Sequence, residues 1–309
     1  MESQRLSGPA LAATITRNAS KQTYYTIRFL VDAGLVDAAY QAYAYFRWVD
    51  DWLDQEPRPR AERQAFVKRQ QALIDRCTRG DLPADLTPEE CLLADLIRQD
   101  SEKNSGLQAY IRNLMAVMAF DADRRGRPTS RRELNGYTHS LAVAVTEALH
   151  YFIGHNCASP HGAIRYVAVT GAHITHMLRD TLEDIDAGYY NIPCEVVDAN
   201  GIAPWDVGSN AYRDWVRERV RSARACFRIG REYLAQVDNL RCRIAGYAYM
   251  HRFEAVLDAI EQADYVLQTQ YPGSNGSGRA AMIGWALWMA LHYHRPARVP
   301  SAHDGRVRL

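Results

Sequence analysis

Apolar residues recur along this chain at intervals of three and four, which is the spacing of a helix with one buried face. No run of β-branched residues alternates with polar ones, and no Asn-Gly or Asp-Gly turn separates alternating apolar runs. Ser130 followed by Glu133 fits a capping box at the start of one helix. The pattern predicts an all-α fold with helices at residues 20–31, 35–54, 60–78, 88–102, 106–121, 131–153, 160–186, 209–234, 239–268 and 278–293.

Segments rich in proline and glycine separate these helices, and none is long enough to link two domains. They are EPRPR (56–60), RGDLPADLTP (79–88), GRP (126–128), ASPHG (158–162), IPCEVVDANGIAP (192–204) and PGSNGSG (272–278). We therefore predict one domain over residues 20–293, an N-terminal tail over 1–19 and a C-terminal tail over 294–309.

The stretch RWVDDWLD ends the second predicted helix. Asp50 and Asp54 are four residues apart, so both carboxylates lie on one helix face. Arg47 precedes Asp50 by three residues, and Tyr43 precedes Arg47 by four. The four side chains therefore form one stripe.

The stretch HMLRDTLEDID repeats this arrangement in the predicted helix 160–186. Asp180 and Asp184 are again four residues apart. His176 precedes Asp180 by four residues, and His173 precedes His176 by three. Each of the two helices thus presents a pair of carboxylates flanked by other polar groups.

Two interpretations of these carboxylate pairs stay open at this point. Aspartates four residues apart are commonly solvated helix surface. Here, however, the flanking sequences AYAYFRWVDDWL and VTGAHITHMLRD are strongly apolar, and burying bare carboxylates is costly. Mg²⁺ would resolve the conflict, because it prefers carboxylate oxygens, water and substrate phosphates. The alternative to a solvated surface is therefore a metal–phosphate site between two opposed pairs.

Composition argues against nucleic-acid binding and against secretion. Lys+Arg 37 against Asp+Glu 36 leaves no basic excess for binding nucleic acid. The six cysteines include no CxxC pair, which predicts free thiols in a reducing, cytoplasmic environment. The first twenty residues contain no continuous apolar segment, so no secretory signal is predicted.

The most apolar late stretch is AAMIGWALWMAL, residues 280–291. A single membrane-spanning helix needs about 20 apolar residues, so this stretch is too short to span. It predicts a buried helix or a surface that touches a membrane peripherally. Trp285 and Trp288 share one helix face, and we expect them to pack in the core.

Four segments together resemble a known family. They are YxxxRxxDDxxD at Tyr43–Asp54, LRDTLED at 178–184, IPCEVVDANGI at 192–202, and NLMAVMAFDADRRGRPTSRRELNGYTHSLAVAVTEAL at 113–149. The family is that of the squalene/phytoene synthases, the head-to-head isoprenoid synthases. In the last segment the family carries an aspartate, then a tyrosine, then a broken helix rich in alanine and valine. The resemblance covers roughly residues 20–268.

The resemblance implies an isoprenoid synthase fold whose helices surround a central cavity. It implies that Asp50, Asp54, Asp180 and Asp184 hold Mg²⁺ against two allylic diphosphates. Groups expected to neutralise the phosphates or to line the pocket are Arg47, Tyr43, Ser20, Lys21 and Arg179. Tyr137 matches a tyrosine that assists proton transfer in the family. Apolar walls are expected from Leu141, Ala142, Val145 and Leu149.

The implied reaction joins two molecules of farnesyl or geranylgeranyl diphosphate head to head through a cyclopropylcarbinyl diphosphate. The product is a C30 or C40 hydrocarbon, and the last step is proton loss or reduction by NADPH. The sequence shows no nicotinamide-binding motif, which leaves NADPH use open.

Four positions depart from the family pattern. His176 replaces an asparagine, Thr146 replaces a glycine, Asn191 replaces a tyrosine, and Phe253 replaces a tyrosine. All four positions are expected to bind substrate. Histidine can ligate metal but favours softer ions than Mg²⁺, so His176 is expected as a metal ligand, as a donor to phosphate or as a gate. The departures make a terpene cyclase that acts on one prenyl diphosphate an alternative. A second alternative is a non-catalytic relative that serves as a binding or assembly protein.

Other charged residues receive a plainer interpretation. Asp121 and Asp123 end a predicted helix before a turn, and we expect both to be solvated. The basic run RRGRPTSRR, residues 124–132, contains the capping box and is predicted to be a solvated loop.

Overall fold

The computed structural model describes residues 8–54, 58–155, 157–271 and 276–295, and these contain thirteen α-helices and no β-strand. The helices are α1 (Gly8–Ala19), α2 (Lys21–Leu30), α3 (Val36–Asp54), α4 (Arg60–Thr78), α5 (Pro88–Gln99), α6 (Gly106–Arg124), α7 (Arg131–Phe152), α8 (Val167–Arg179), α9 (Thr181–Asp186), α10 (Cys194–Asn200), α11 (Asn210–Leu234), α12 (Leu240–Gln262) and α13 (Gly276–His292). Short 3₁₀ helices precede α3 and α8. The all-α prediction is confirmed.

Several helices begin where a side chain can satisfy the free N–H groups of the first turn. The predicted capping box is present: the Ser130 hydroxyl accepts from the backbone N–H of Glu133 at 3.3 Å, and the Glu133 carboxylate accepts from the backbone N–H of Ser130 at 2.7 Å. Thr87 and Glu90 form a second capping box that opens α5. These pairs fix the starts of α5 and α7.

The prediction of one continuous helix over 160–186 is wrong. Helix α8 ends at Arg179, and Asp180 joins it to α9 with φ −95° and ψ 3°. The turn is slight, because the backbone N–H of Asp180 still donates to the carbonyl of His176 at 3.0 Å, and that of Asp184 donates to the carbonyl of Asp180 at 2.8 Å. The four-residue spacing of the aspartates therefore survives the break.

Two predicted non-helical segments contain helices. Residues 8–19 were expected to belong to a tail, but they form α1, which buries Ala12 and Thr16 and packs against α3. The predicted breaker 192–204 contains α10, which ends at Gly201 in a left-handed conformation (φ 60°). Residues 272–275 of the separating segment PGSNGSG and residues 296–309 of the predicted C-terminal tail lie outside the described residues.

The helix that leads to the second aspartate pair is held by close packing. Helix α8 packs against α11 and against α7. A Cβ on Gly171 would lie 2.8 Å from Cβ of Cys226, closer than real Cβ contacts allow, so this glycine permits α8 to approach α11. The contact fixes the helix that precedes Asp180.

Helix α13 has one buried face and one exposed face. Ala286 and Ala290 are buried, and Trp285 packs against the core as predicted. Trp288 is 47% exposed, contrary to the expectation that it packs in the core, and Ile283, Leu287, Leu291 and Tyr293 are exposed beside it. Within the described part of the chain, no helix combines the length and the apolar character that crossing a membrane requires. All six cysteines lie in described residues and are free, as predicted.

Candidate active site

The predicted stripe on α3 exists and is only partly exposed. An Nη atom of Arg47 lies 3.2 Å from Oδ2 of Asp50, and the guanidinium also forms an ion pair with Asp51. Arg47, Asp50 and Asp51 are half-buried, whereas Asp54 is exposed at the last residue of the helix. One arginine thus bridges two neighbouring carboxylates.

The start of α2 lies beside this stripe. The Ser20 hydroxyl caps α2 by accepting from the backbone N–H of Thr23 at 3.1 Å. Burial raises the pKa of Tyr43, and hydrogen bonding to Thr23 and Ser20 partly opposes that shift. Ser20 and Tyr43 are therefore neighbours, while Lys21 is exposed at the first residue of the helix.

Asp180 is held by cationic and imidazole groups of its own helix. Arg179 donates to both carboxylate oxygens, at 2.5 and 2.8 Å, and Nε2 of His176 lies 3.1 Å from Oδ2. Arg252 on α12 is close enough for its charge to interact with both Arg179 and Asp180. Its guanidinium also donates to the side chain of Gln22 on α2 at 2.9 Å.

Asp184 is held by Asn191. The Asn191 amide donates to Oδ2 of Asp184 at 2.6 Å, and its carbonyl oxygen accepts from Arg124 at 2.9 Å. Asn191 is 2% exposed. It was predicted to bind substrate, and in the structure its hydrogen bonds go to protein groups that orient a carboxylate.

Arg124 is the centre of a buried network at the end of α6. It donates to Oδ1 of Asp121 at 2.7 Å, and the Tyr137 hydroxyl donates to the other carboxylate oxygen at 3.1 Å. The Asp121 and Arg124 side chains are 17% and 6% exposed. The expectation that Asp121 and Arg124 are solvated is therefore wrong.

Asp123 is also paired, with Arg60 and Arg127.

Tyr189 connects the two aspartate pairs. It follows α9, and its hydroxyl donates to Oδ1 of Asp54 at 3.1 Å. The guanidinium of Arg124 lies 4.8 Å from the centre of the same ring. Because Arg124 also reaches Asp184 through Asn191, a chain of contacts joins Asp54 at the end of α3 to Asp184 on α9. The two carboxylate pairs therefore do not lie on opposite outer surfaces.

The site carries more negative charge than its arginines offset. Burial raises the pKa of Asp50 to about 7, and the nearby Asp54 adds to the shift. Burial likewise raises the pKa of Asp184 to about 6, against the opposing hydrogen bond from Asn191. Both carboxylates are ionised at a cost, which a bound cation would relieve.

Comparison with family models shows to which family this chain belongs. A model of the squalene/phytoene synthase family matches residues 16–276. The chain belongs to the squalene/phytoene synthase family. Members of this family are prenyltransferase-type enzymes of isoprenoid biosynthesis. Comparison with curated proteins gives no match.

Two solved structures support the fold of this family member. A dehydrosqualene synthase in complex with a ligand is 16% identical, with a TM-score of 0.69 over 90% of this chain and 95% of that chain. Squalene synthase HpnC from Alicyclobacillus acidocaldarius is 19% identical, with a TM-score of 0.66 over 84% of this chain and 95% of that chain. The predicted isoprenoid synthase fold is confirmed.

The carboxylates of this family member suit Mg²⁺. Among the described residues, no three Asp, Glu, His or Cys side chains converge on a single metal position. Mg²⁺ does not require such a cage, because it usually takes one or two carboxylates and completes its shell with water and substrate phosphates. Asp50 with Asp54, and Asp180 with Asp184, fit that donor set. His176 already contacts Asp180, so it would lie beside a metal held by that carboxylate.

The raised pKa values predict how apo-protein stability changes with pH. A carboxyl group whose pKa is higher in the folded state stabilises the fold fully below its unfolded pKa, here 3.8, and loses that contribution as pH rises through the folded value. In EDTA, the melting temperature of Asp50→Asn should therefore exceed that of the wild type by more at pH 8 than at pH 5. Asp37→Asn, exposed on the same helix, is the control. A difference that does not vary with pH would contradict the raised value.

The residues expected to form an apolar wall on α7 lie on two neighbouring faces of that helix. Leu141, Val145 and Leu149 follow Tyr137 at four-residue intervals and are half-buried on its face. Ala142 and Thr146 lie on a neighbouring face and are 0% and 4% exposed, and the Thr146 hydroxyl has no hydrogen-bond partner among the described residues. Contact of any of these five with substrate stays a prediction.

Three of the four departures from the family pattern meet at the second aspartate pair. His176 contacts Asp180, Asn191 contacts Asp184, and the ring of Phe253 lies 6.4 Å from the ring of His176 in an edge-on contact. His173, one turn before His176, packs its ring against Tyr137 at 4.9 Å. Neither ring nitrogen of His173 has a partner among the described residues.

Residue patterns alone did not single out Arg124, Tyr189 and Arg252. The only local signal was the three-residue spacing of Asp121 and Arg124, which permits an ion pair on a helix. Tyr189 and Arg252 join the site through contacts across the fold, for which the linear sequence gives no pattern.

A cavity of about 790 Å³ lies elsewhere, between α4, α5 and α6. Its lining includes Ile74, Ile97 and Met115, and none of the aspartates of either pair. The candidate active site is therefore defined by its converging hydrogen bonds and charges and not by cavity size.

Proposed function

We propose that this protein is a Mg²⁺-dependent prenyltransferase that ionises allylic prenyl diphosphates and condenses two of them head to head. The substrates are farnesyl or geranylgeranyl diphosphate, and the reaction passes through a cyclopropylcarbinyl diphosphate. The observation that carries the proposal is the linkage of both aspartate pairs through Tyr189, Asn191 and Arg124. Membership of the family supports it independently.

In this proposal each aspartate pair has the same task. Asp50 and Asp54 hold Mg²⁺ on one side, and Asp180 and Asp184 hold it on the other. When bound, Mg²⁺ supplies positive charge that stabilises the departing diphosphate. Arg47 and Arg179 are placed beside the two pairs, where their guanidinium groups can turn from the carboxylates to phosphate oxygens.

The remaining residues govern what happens to the allylic cation. The wall of Leu141, Val145 and Leu149 excludes water, so the second chain's double bond is the nucleophile that reaches the cation. Burial raises the pKa of Tyr137 well above its ordinary value, so its hydroxyl stays protonated and donates to Asp121. In this state Tyr137 holds a proton at a fixed position beside the reacting carbons.

The test is product analysis. The protein is incubated with farnesyl or geranylgeranyl diphosphate and Mg²⁺, with and without NADPH, and the lipid extract is analysed by mass spectrometry. A C30 or C40 product is expected, together with released diphosphate. A C15 or C20 product would replace the proposal with a terpene cyclase. Absence of diphosphate release from either substrate would indicate a non-catalytic relative.

We also propose that α13 contacts a membrane peripherally, so that an apolar product is released into the bilayer. Its exposed side chains include Ile283, Trp288 and Leu291, and a tryptophan among aliphatic residues suits the interface of a bilayer. Co-sedimentation with phospholipid vesicles should be reduced by Ile283→Ser/Leu291→Ser. Equal sedimentation of the variant and the wild type would contradict the contact.

A further inference from the structure

A second, smaller cavity borders the candidate active site. It has a volume of about 150 Å³ and lies between the start of α7, the end of α8 and the first half of α11. Its polar lining consists of Arg131, Asn135, Thr138, Asn191 and Arg219, and no carboxylate lines it. Asn191 belongs both to this cavity and to the hydrogen bond with Asp184.

Arg219 is the unusual member of this lining. Its side chain is half-buried and forms no ion pair or hydrogen bond with any described residue. Burial lowers the pKa of its guanidinium, and repulsion from Arg131 lowers it further, while the neighbouring Glu218 acts in the opposite direction. The carboxylate of Glu195 accepts from the backbone N–H of Arg131 at 2.9 Å, but Glu195 does not line the cavity.

The two arginines in the lining make this cavity suited to bind an anion. Two guanidinium groups that repel each other, one of them partly withdrawn from water, are costly unless a negative charge lies between them. Guanidinium groups match phosphate oxygens with paired hydrogen bonds. A cavity needs only about 10–15 Å³ to hold one water molecule, so 150 Å³ has room for a multi-atom anion.

We propose that this cavity is a binding site for inorganic diphosphate, the leaving group of the proposed reaction on which this assignment rests. Arg219 and Arg131 bind the phosphate oxygens, and Asn135 and Thr138 donate further hydrogen bonds. Asn191 lines the cavity and also donates to Asp184, so the proposed site lies next to the second aspartate pair.

The test uses inorganic diphosphate alone, titrated calorimetrically in EDTA so that the aspartate pairs cannot recruit metal. Arg219→Gln should weaken binding at least about tenfold, because it removes charged hydrogen bonds to the anion. Arg221→Gln is the matched control: it makes the same charge change on an exposed residue of α11, and binding should stay within about twofold. Absence of binding to the wild type, or equal weakening in both variants, overturns the proposal.

Two further measurements distinguish loss of diphosphate binding from misfolding of the variant. Arg219→Lys keeps the charge and should bind diphosphate more tightly than Arg219→Gln, and circular dichroism establishes that each variant is folded. The binding assay needs no turnover. An enzyme that condenses prenyl diphosphates but binds no diphosphate in EDTA overturns this site alone, whereas Arg219-dependent binding by an inactive protein overturns only the proposed reaction.

Discussion

Asp50→Asn and Asp180→Asn should each reduce turnover by about 10³-fold while the protein stays folded. Each change removes a carboxylate expected to hold Mg²⁺, whose stabilisation of the leaving group is several kcal/mol, and each 1.4 kcal/mol is a factor of ten in rate. Stability should be kept or improved, because the apo site concentrates like charges and burial raises the pKa of Asp50 to about 7. Steady-state kinetics with saturating Mg²⁺, together with melting curves, measure both effects.

The chain offers a matched control for each variant. Asp37 lies on α3 with Asp50, and Asp186 lies on α9 shortly after Asp180, and both are exposed. Asp37→Asn and Asp186→Asn remove the same charge outside the site, so turnover should change by less than about twofold. Comparable losses in the motif variants and the controls would mean that the carboxylates act only through overall charge.

Arg124→Met should have the largest effect on stability, lowering the free energy of unfolding by about 3–5 kcal/mol. The substitution leaves the buried carboxylate of Asp121 with only the Tyr137 hydroxyl as a partner, and it removes the donor to Asn191. Urea denaturation at pH 7 measures the loss.

The double variant Arg124→Met/Asp121→Asn is the control for this prediction. It removes the uncompensated charge together with the arginine, so it should regain part of the lost stability. If the double variant were no more stable than Arg124→Met, the loss would come from packing around the guanidinium and not from the ion pair.

The fold could be predicted from sequence because its signals are local. Periodic apolar residues and capping pairs such as Ser130 with Glu133 act within one or two helical turns, and the predicted bounds of α3, α4, α7 and α11 agree with the structure to within one residue. Helix α1 was missed because its place depends on packing against α3. The break at Asp180 was missed because helical hydrogen bonding continues across it.

Only part of the candidate site could be predicted from local signals. Asp50, Asp54, Asp180 and Asp184 were predicted because helical spacing fixes the faces on which they lie. The groups that connect them were not, because the bonds from Tyr189 to Asp54 and from Arg124 to Asn191 join residues far apart in sequence. Asp121 was wrongly expected to be solvated, since nothing within α6 shows that Tyr137 covers it.

The proposed site requires that carboxylates from α3 and from α8–α9 together bind one assembly of Mg²⁺ and diphosphate. Calorimetric titration of inorganic diphosphate with and without Mg²⁺ measures this binding. The metal-dependent part of the affinity should be present in the wild type, in Asp37→Asn and in Asp186→Asn, and lost in both Asp50→Asn and Asp180→Asn. Full metal-dependent binding in either of the last two variants would contradict a shared site.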